Sequence, residues 1–405
     1  MAEKIAKIKT IEALSKKIIL NVLKKIQQGT IQLNDGDENY VFRDINGFDQ
    51  PSATLDIIHP RAYKKILLKG SVGAGKSYID GDWNTDNLQK LIELFIKNDA
   101  LFNNIESPLA HFLSWIRTIG YKLNRNTIQQ AKDNILAHYD LGNDFFQLIL
   151  DPSMMYSCAL YEPSGISLDM AAKKKIQRIC DKLELKSGDH VLEIGTGWGG
   201  FALCAAQEYG CKITTTTVSD KQYAYVKEKI KNLGLENKIE LLNLDYRKLS
   251  GQYDKVVSIE MIEAVGYKYF DAFFHQCNQL LKPQGLFFLQ AIVINNQAYE
   301  AAKYEVDFIK KFIFPGGCLP SVTSISKSIA TQTKMQLISF EDIGKHYVAT
   351  LHDWHNKLLA NKQAILAQGF SENFIRMWQF YFCYSAAGFE SNYISDIHAL
   401  WRKRS

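Results

Sequence analysis

Residues 191–200 read Val-Leu-Glu-Ile-Gly-Thr-Gly-Trp-Gly-Gly. No other stretch constrains the fold as strongly. A short apolar strand runs straight into glycines, and a helical pattern follows. Glycine lets the backbone turn sharply and approach a ligand with no Cβ in the way. The first N–H groups of the next helix stay free for a polar ligand. Strand, glycine turn and helix in that order make the first loop of a doubly wound, Rossmann-like α/β sheet.

The loop satisfies Gly-x-Gly-x-x-Gly at Gly195, Gly197 and Gly200. Alone it does not separate a dinucleotide site from an S-adenosylmethionine site. Further strands read at Lys212–Val218, Lys238–Leu244, Lys255–Ile259 and Gly285–Ile294, alternating with helical stretches near 221–233 and 269–282. This βαβ rhythm implies a mostly parallel sheet. Ligands sit at the carboxyl edge of such sheets. Counting from Val191, Asp245 follows the third strand, and Glu260 and Glu263 follow the fourth.

Glu193-Ile-Gly-Thr-Gly-Trp-Gly-Gly, Asp245-Tyr-Arg and Leu280-Leu-Lys-Pro-Gln-Gly285 resemble a class I S-adenosylmethionine methyltransferase. His138-Tyr-Asp-Leu-Gly-Asn143, Met155-Tyr-Ser-Cys158 and Ile313-Phe-Pro-Gly-Gly-Cys-Leu-Pro-Ser321 narrow this. With them the chain resembles the cyclopropane-fatty-acyl-phospholipid synthases from roughly Gly70 onward. The resemblance implies S-adenosylmethionine as cofactor. Gly195, Gly197 and Gly199 would pass beneath its amino acid part, and Thr217 and Gln222 would reach its ribose and adenine side. Asp245 would accept from the adenine amino group, and Tyr156 and Ser157 would close over the cofactor. By residue type alone, Thr217 reads as a β-branched strand residue.

The acceptor implied is a double bond in an unsaturated acyl chain of a membrane phospholipid. Methylating it leaves a positive charge, which calls for aromatic faces nearby. A base must then remove a proton from the new methyl to close the ring. The resemblance implies a bound bicarbonate in that role, held by Cys158, Glu263, Tyr347 and the Ile292 N–H. Gln290 stands where the family has a histidine. Glutamine donates a hydrogen bond but carries no proton to exchange near neutral pH. A methyl- or methylene-branched chain is therefore the alternative product, and a soluble small molecule the alternative acceptor. Without the resemblance, Glu263 reads equally as a helix cap or a catalytic acid, and Cys158 as a small buried hydrophobe.

Of 405 residues, 46% are hydrophobic, which suits a large globular core. No run of 18 apolar residues occurs and no secretory signal is evident. Seven cysteines without Cys-x-x-Cys suggest reduced thiols and no metal site. The formal charge of +5 is local: residues 1–28 hold seven lysines and two glutamates, and the rest of the chain balances. Ile11, Leu14, Ile18, Ile19, Val22, Leu23 and Ile26 fall on one face of a helix there. Such a helix either binds an anionic bilayer or packs its stripe on the body. The expectation is a cytoplasmic protein, peripheral at the inner membrane face, with no nucleic-acid partner and a homodimer possible.

Gly70-Ser-Val-Gly-Ala-Gly-Lys76-Ser77 matches a phosphate-loop pattern. The motif requires a helix directly after it. Tyr78-Ile-Asp-Gly-Asp-Trp-Asn84 follows instead, so the segment reads as turn-rich and not as a nucleotide site. The organisation expected is a basic helix over 1–30, a mixed N-terminal domain over 31–125 with helices near 87–97 and 108–120, and a catalytic domain over 126–405. Residues 295–335 read as a lid-like insertion within it.

Overall fold

The computed structural model describes residues 2–43, 52–98, 101 and 141–405. The expected helix near 108–120 and residues 138–140 of the His138 motif lie outside this set. The chain forms two compact units. Among the described residues, the first takes those up to 101 together with 304–313 and 362–393. The second takes 141–303, 314–361 and 394–405. The chain thus enters the first unit three times, where the sequence reading has one crossing near 125. The 295–335 stretch contributes to both units.

The first unit opens with the helix Ala2–Leu23. Strands β1 (Thr30–Asp35), β2 (Glu38–Arg43), β3 (Ser52–Ile57) and β4 (Trp83–Asn84) follow in the order β2-β1-β3-β4. The predicted apolar stripe is divided. Leu23 and Ile26 are buried, whereas Ile11 and Leu14 are 37% and 59% exposed. Lys16 is drawn onto the sheet by Asp35 at 2.5 Å and by Glu38.

The turn-rich reading of residues 70–77 is corrected. They lie inside the helix Arg61–Ile79, which kinks where Gly70 takes φ 53°. The two arms of the kink meet closely: a Cβ on Gly73 would lie 1.9 Å from the Lys65 carbonyl oxygen. A Cβ on Gly75 would lie 2.2 Å from the Phe308 ring. The glycines are thus contact surfaces, and packing outweighs their low helix propensity. The amides of this segment lie within a helix, so no phosphate cradle forms.

The second unit holds a seven-stranded sheet in the order β10-β11-β9-β8-β5-β6-β7. Its strands are β5 (His190–Ile194), β6 (Lys212–Thr217), β7 (Ile239–Asn243), β8 (Tyr253–Ile259), β9 (Leu281–Ile294), β10 (Met335–Asp342) and β11 (Ile394–Lys403). Strands β5 to β9 pair in parallel, and β10 and β11 add antiparallel. Successive side chains alternate between two cores. Leu192 and Phe287 face one with Phe273 and Trp401, and Val191 and Phe288 face the other with Ile176 and Phe201. Strand order reverses between β5 and β8, which puts the ligand crevice beyond their carboxyl ends.

Candidate active site

Two loops leave that crevice, one after β5 and one after β8. In the first, Gly195, Gly197 and Gly199 take φ 98°, 53° and 89°, a region that L side chains avoid. Gly199 then caps the helix Gly200–Glu208. A Cβ on Gly197 would meet nothing within 4 Å, so that face of the turn stays open. A Cβ on Gly200 would lie 2.4 Å from Met155 Sδ. The segment leading to Cys158 is therefore pressed onto the loop. Asp151 holds it there, accepting from the N–H groups of Ser153 at 2.8 Å and Met155 at 3.1 Å.

Tyr156 lies among aromatic rings: Trp354 at 5.1 Å, Phe146 at 5.3 Å and Phe314 at 6.4 Å between centroids. Ser157 accepts from the buried Lys175 Nζ at 2.7 Å. Thr217 donates to Gln222 Oε1 at 2.9 Å, so these two expected contacts are adjacent. Asp245 takes two bonds from the Arg247 guanidinium, at 2.8 and 2.7 Å. Burial works against its charge, yet Arg247 holds the carboxyl below its usual range. The glycine turn bonds to the Thr216 carbonyl near the end of β6, and its face at Gly197 stays open. The set fits S-adenosylmethionine.

Of the five groups expected around bicarbonate, four bond to the protein's own carboxylates. Three meet on Glu260. The Cys158 N–H donates to it at 2.8 Å, Gln290 Nε2 at 2.8 Å and the Tyr347 hydroxyl at 2.6 Å. The Cys158 thiol points elsewhere, toward the Ala159 and Ile343 carbonyls, and burial pushes it well above its ordinary range. The other two groups pair with each other: the Ile292 N–H donates to Glu263 Oε1 at 2.5 Å. Glu263 Oε2 is buried without a hydrogen-bond partner. Burial, then the charge of Glu260, pushes Glu263 up to about 8. Glu263 is therefore mostly protonated at neutral pH.

Sequence reasoning left four residues of this cluster unassigned. From sequence, Glu260 reads only as an acid at a strand end. Asp396 accepts from Gln290 Nε2 at 2.8 Å, and burial, then the Glu260 charge, drives it well above its ordinary value. His398 contacts Gln290 Oε1 through Nε2 at 3.3 Å. The antiparallel register of β11 on β9 sets these positions, with His398 opposite Gln290 and Asp396 opposite Ile292. Lys175 is fully buried beneath the cluster, and burial lowers its pKa. Burial also raises Glu260. Three donors on the Glu260 oxygens oppose that rise and favour its charged form. The one available signal was the Glu-x-x-Glu spacing after β8, which offers two carboxylates to one edge.

A doubly wound sheet with an open glycine turn after β5 and acids after β8 defines a class I S-adenosylmethionine-dependent methyltransferase. Residues 126–399 match the family described as mycolic acid cyclopropane synthetase. The cyclopropane-fatty-acyl-phospholipid synthase of Escherichia coli is 36% identical over 361 residues, covering 88% of each chain. The tuberculostearic acid methyltransferase UfaA1 of Mycobacterium tuberculosis is 34% identical over 358 residues, covering 85% of this chain and 82% of its own length. The solved mycolic acid cyclopropane synthase CmaA1, complexed with SAH and CTAB, superposes with TM-score 0.63 at 29% identity. It covers 67% of this chain and 98% of its own. The chain belongs to this family of cyclopropane synthases and related lipid methyltransferases, and it is an enzyme of the methyltransferase class.

Proposed function

We propose that the chain transfers the methyl carbon of S-adenosylmethionine to the double bond of an unsaturated acyl chain on a membrane phospholipid, closing a cyclopropane. One stretch of chain carries the reading. Met155 abuts the glycine turn, and Cys158, three residues on, donates to the carboxylate after β8. A methyl donor on the turn and a base beside Cys158 would thus share one wall.

Gly195, Gly197 and Gly199 would cradle the cofactor, with Thr217, Gln222 and Asp245 at its nucleoside end and Tyr156 and Ser157 over it. When bound, S-adenosylmethionine supplies a methyl on a positively charged sulfur. The chain's own residues do the rest. The rings of Tyr156, Phe146, Phe314 and Trp354 exclude water and steady positive charge on the acyl chain. A buried carboxylate of raised proton affinity then receives a proton. The bicarbonate that the resemblance implies would find its donors already engaged. Exposed Ile11 and Leu14, beside exposed Lys17 and Lys24, support contact with the inner face of an anionic membrane.

A branched product is the second reading. Gln290 in the family's histidine position favours it, as does similarity to a methyltransferase named for tuberculostearic acid. The test is direct. Purified protein, methyl-labelled S-adenosylmethionine and vesicles of monounsaturated phospholipid are incubated, and the acyl chains are analysed by mass and proton NMR. The reading expects label in chains one CH2 heavier, with olefinic protons lost and ring protons gained. Retained unsaturation supports the branched product. Label absent from lipid removes the acyl acceptor.

A further inference from the structure

We propose that the Glu260 carboxylate is itself the base that closes the ring, standing where the resemblance puts an added bicarbonate. The inference rests on the acyl acceptor proposed above. It starts from a disagreement: of the groups expected to hold a free anion, Cys158 N–H, Tyr347 and Gln290 all donate to Glu260. The fourth, Ile292 N–H, donates to Glu263. The chain has filled its own anion site.

Three further observations agree. Glu260 holds φ 46°, a left-handed conformation that disfavours side chains and persists only where the surroundings impose it. The turn aims its carboxylate back at the donors and costs a strain that a simple helix cap would not need. Gln290 is matched to this arrangement. Its single nitrogen carries two hydrogens and bridges two carboxyl groups, Glu260 and Asp396. An imidazole nitrogen offers one. Finally, Lys175 is the buried cation interacting with Glu260 and Asp396. A second anion placed beside the Glu260 carboxylate would meet like charge. Glu260 remains half-buried, so it keeps accessible surface.

The step balances without another reactant. The π electrons of the acyl double bond form a C–C bond to the methyl carbon as its C–S bond breaks, and the sulfur keeps that electron pair. The new methyl then gives one proton to Glu260, and the C–H electron pair forms the second C–C bond of the ring. Glu260 releases the proton to solvent once product leaves.

The test uses the full chain, carbonate-free buffer and two variants. Glu260→Gln keeps the shape but cannot take the proton. Glu260→Gly frees the donors and suits the positive φ, so it should fold. Wild-type turnover should not respond to added bicarbonate. Glu260→Gln should lose about 100-fold or more of turnover, the usual worth of a general base, with cofactor affinity unchanged. Glu260→Gly should lose as much and recover with bicarbonate or formate. Independently of turnover, the NMR line of 13C-bicarbonate should broaden with Glu260→Gly and stay sharp with wild type, each saturated with S-adenosylhomocysteine. Stimulation of wild type by bicarbonate, line broadening by wild type, or full turnover in Glu260→Gln would overturn the proposal. If wild type methylates no lipid, the acyl reading fails, and the bicarbonate titration still decides who fills the anion site.

Discussion

Glu193 ends β5 immediately before the glycine turn, and it is only 2% exposed. Thr215 Oγ1 donates to it at 2.5 Å from the neighbouring strand. That bond, with the charge of Lys175, only partly offsets the loss of water, and burial pushes Glu193 up to about 8. In the unfolded chain it titrates near 4.5. Between those values the folded chain binds a proton that the unfolded chain has released. Stability is therefore fully present below pH 4.5 and is lost as pH rises toward 8. At about 1.4 kcal/mol per pH unit, the full gap is worth about 5 kcal/mol. Glu193→Gln keeps the volume and removes the titration. Between about pH 5.5 and 7.5, both inside the window, wild type should lose about 3 kcal/mol relative to the variant. Hydrogen exchange of the β5 and β6 amides reports this for the unit that carries Glu193, whether or not the two units unfold together. Stability curves that run parallel in wild type and variant would refute the reasoning. Glu193 would then be ionised in the fold, with a partner this geometry does not provide.

Three other outcomes follow from the same structure. Gly197→Val places a β-branched residue at φ 53°, costing about 1–2 kcal/mol of backbone strain, and fills the open face of the turn; calorimetry should find S-adenosylmethionine bound at least about tenfold more weakly. Gly75→Ala drives a methyl into the Phe308 ring and should cost about 1–3 kcal/mol in thermal unfolding, leaving cofactor affinity unchanged. Ile11→Glu with Leu14→Glu alters only exposed positions and spares buried Leu23 and Ile26. Co-sedimentation with anionic vesicles should fall while the melting temperature holds, and unchanged sedimentation would make this helix a structural element alone.

Strands β5 and β8 were legible because each is a short apolar run closed by glycine or acid, whereas β6 is marked by its β-branched threonines, and β10 over Met335–Asp342 was not read as a strand. The segment from Gly70 to Ser77 misled because glycine has two uses. Read locally it signals a turn, but Gly73 and Gly75 are small so that the Lys65 backbone and the Phe308 ring can approach. Phe308 lies more than two hundred residues away, and nothing near Gly75 announces it. The site divides in the same way. The glycine turn, Cys158 and the acids after β8 carry local motifs. Asp396 and His398 carry none. They join the site only through the register of β11 against β9, and a shift of one residue would turn both to the other face of the sheet.

That register also explains why Gln290 is more than a weakened histidine. From sequence the position looks like a loss, since an amide cannot exchange a proton near neutral pH. In the structure it lies across from His398, whose ring burial keeps neutral and far below its ordinary pKa. The His398 Nε2 contact occupies the amide oxygen, which turns both amide hydrogens toward the acids. Glu260 and Asp396 can then lie close with one negative charge between them, and Lys175 balances it. Each member requires the others. A carboxyl at 396 without the amide would lose the bond that its Oδ2 accepts, and an amide at 290 without Glu260 would have one hydrogen unsatisfied, each costing about 1–3 kcal/mol. The change at 290 is thus one part of a coupled set, and restoring histidine there alone should remove a hydrogen bond from the acid pair instead of rebuilding a bicarbonate site.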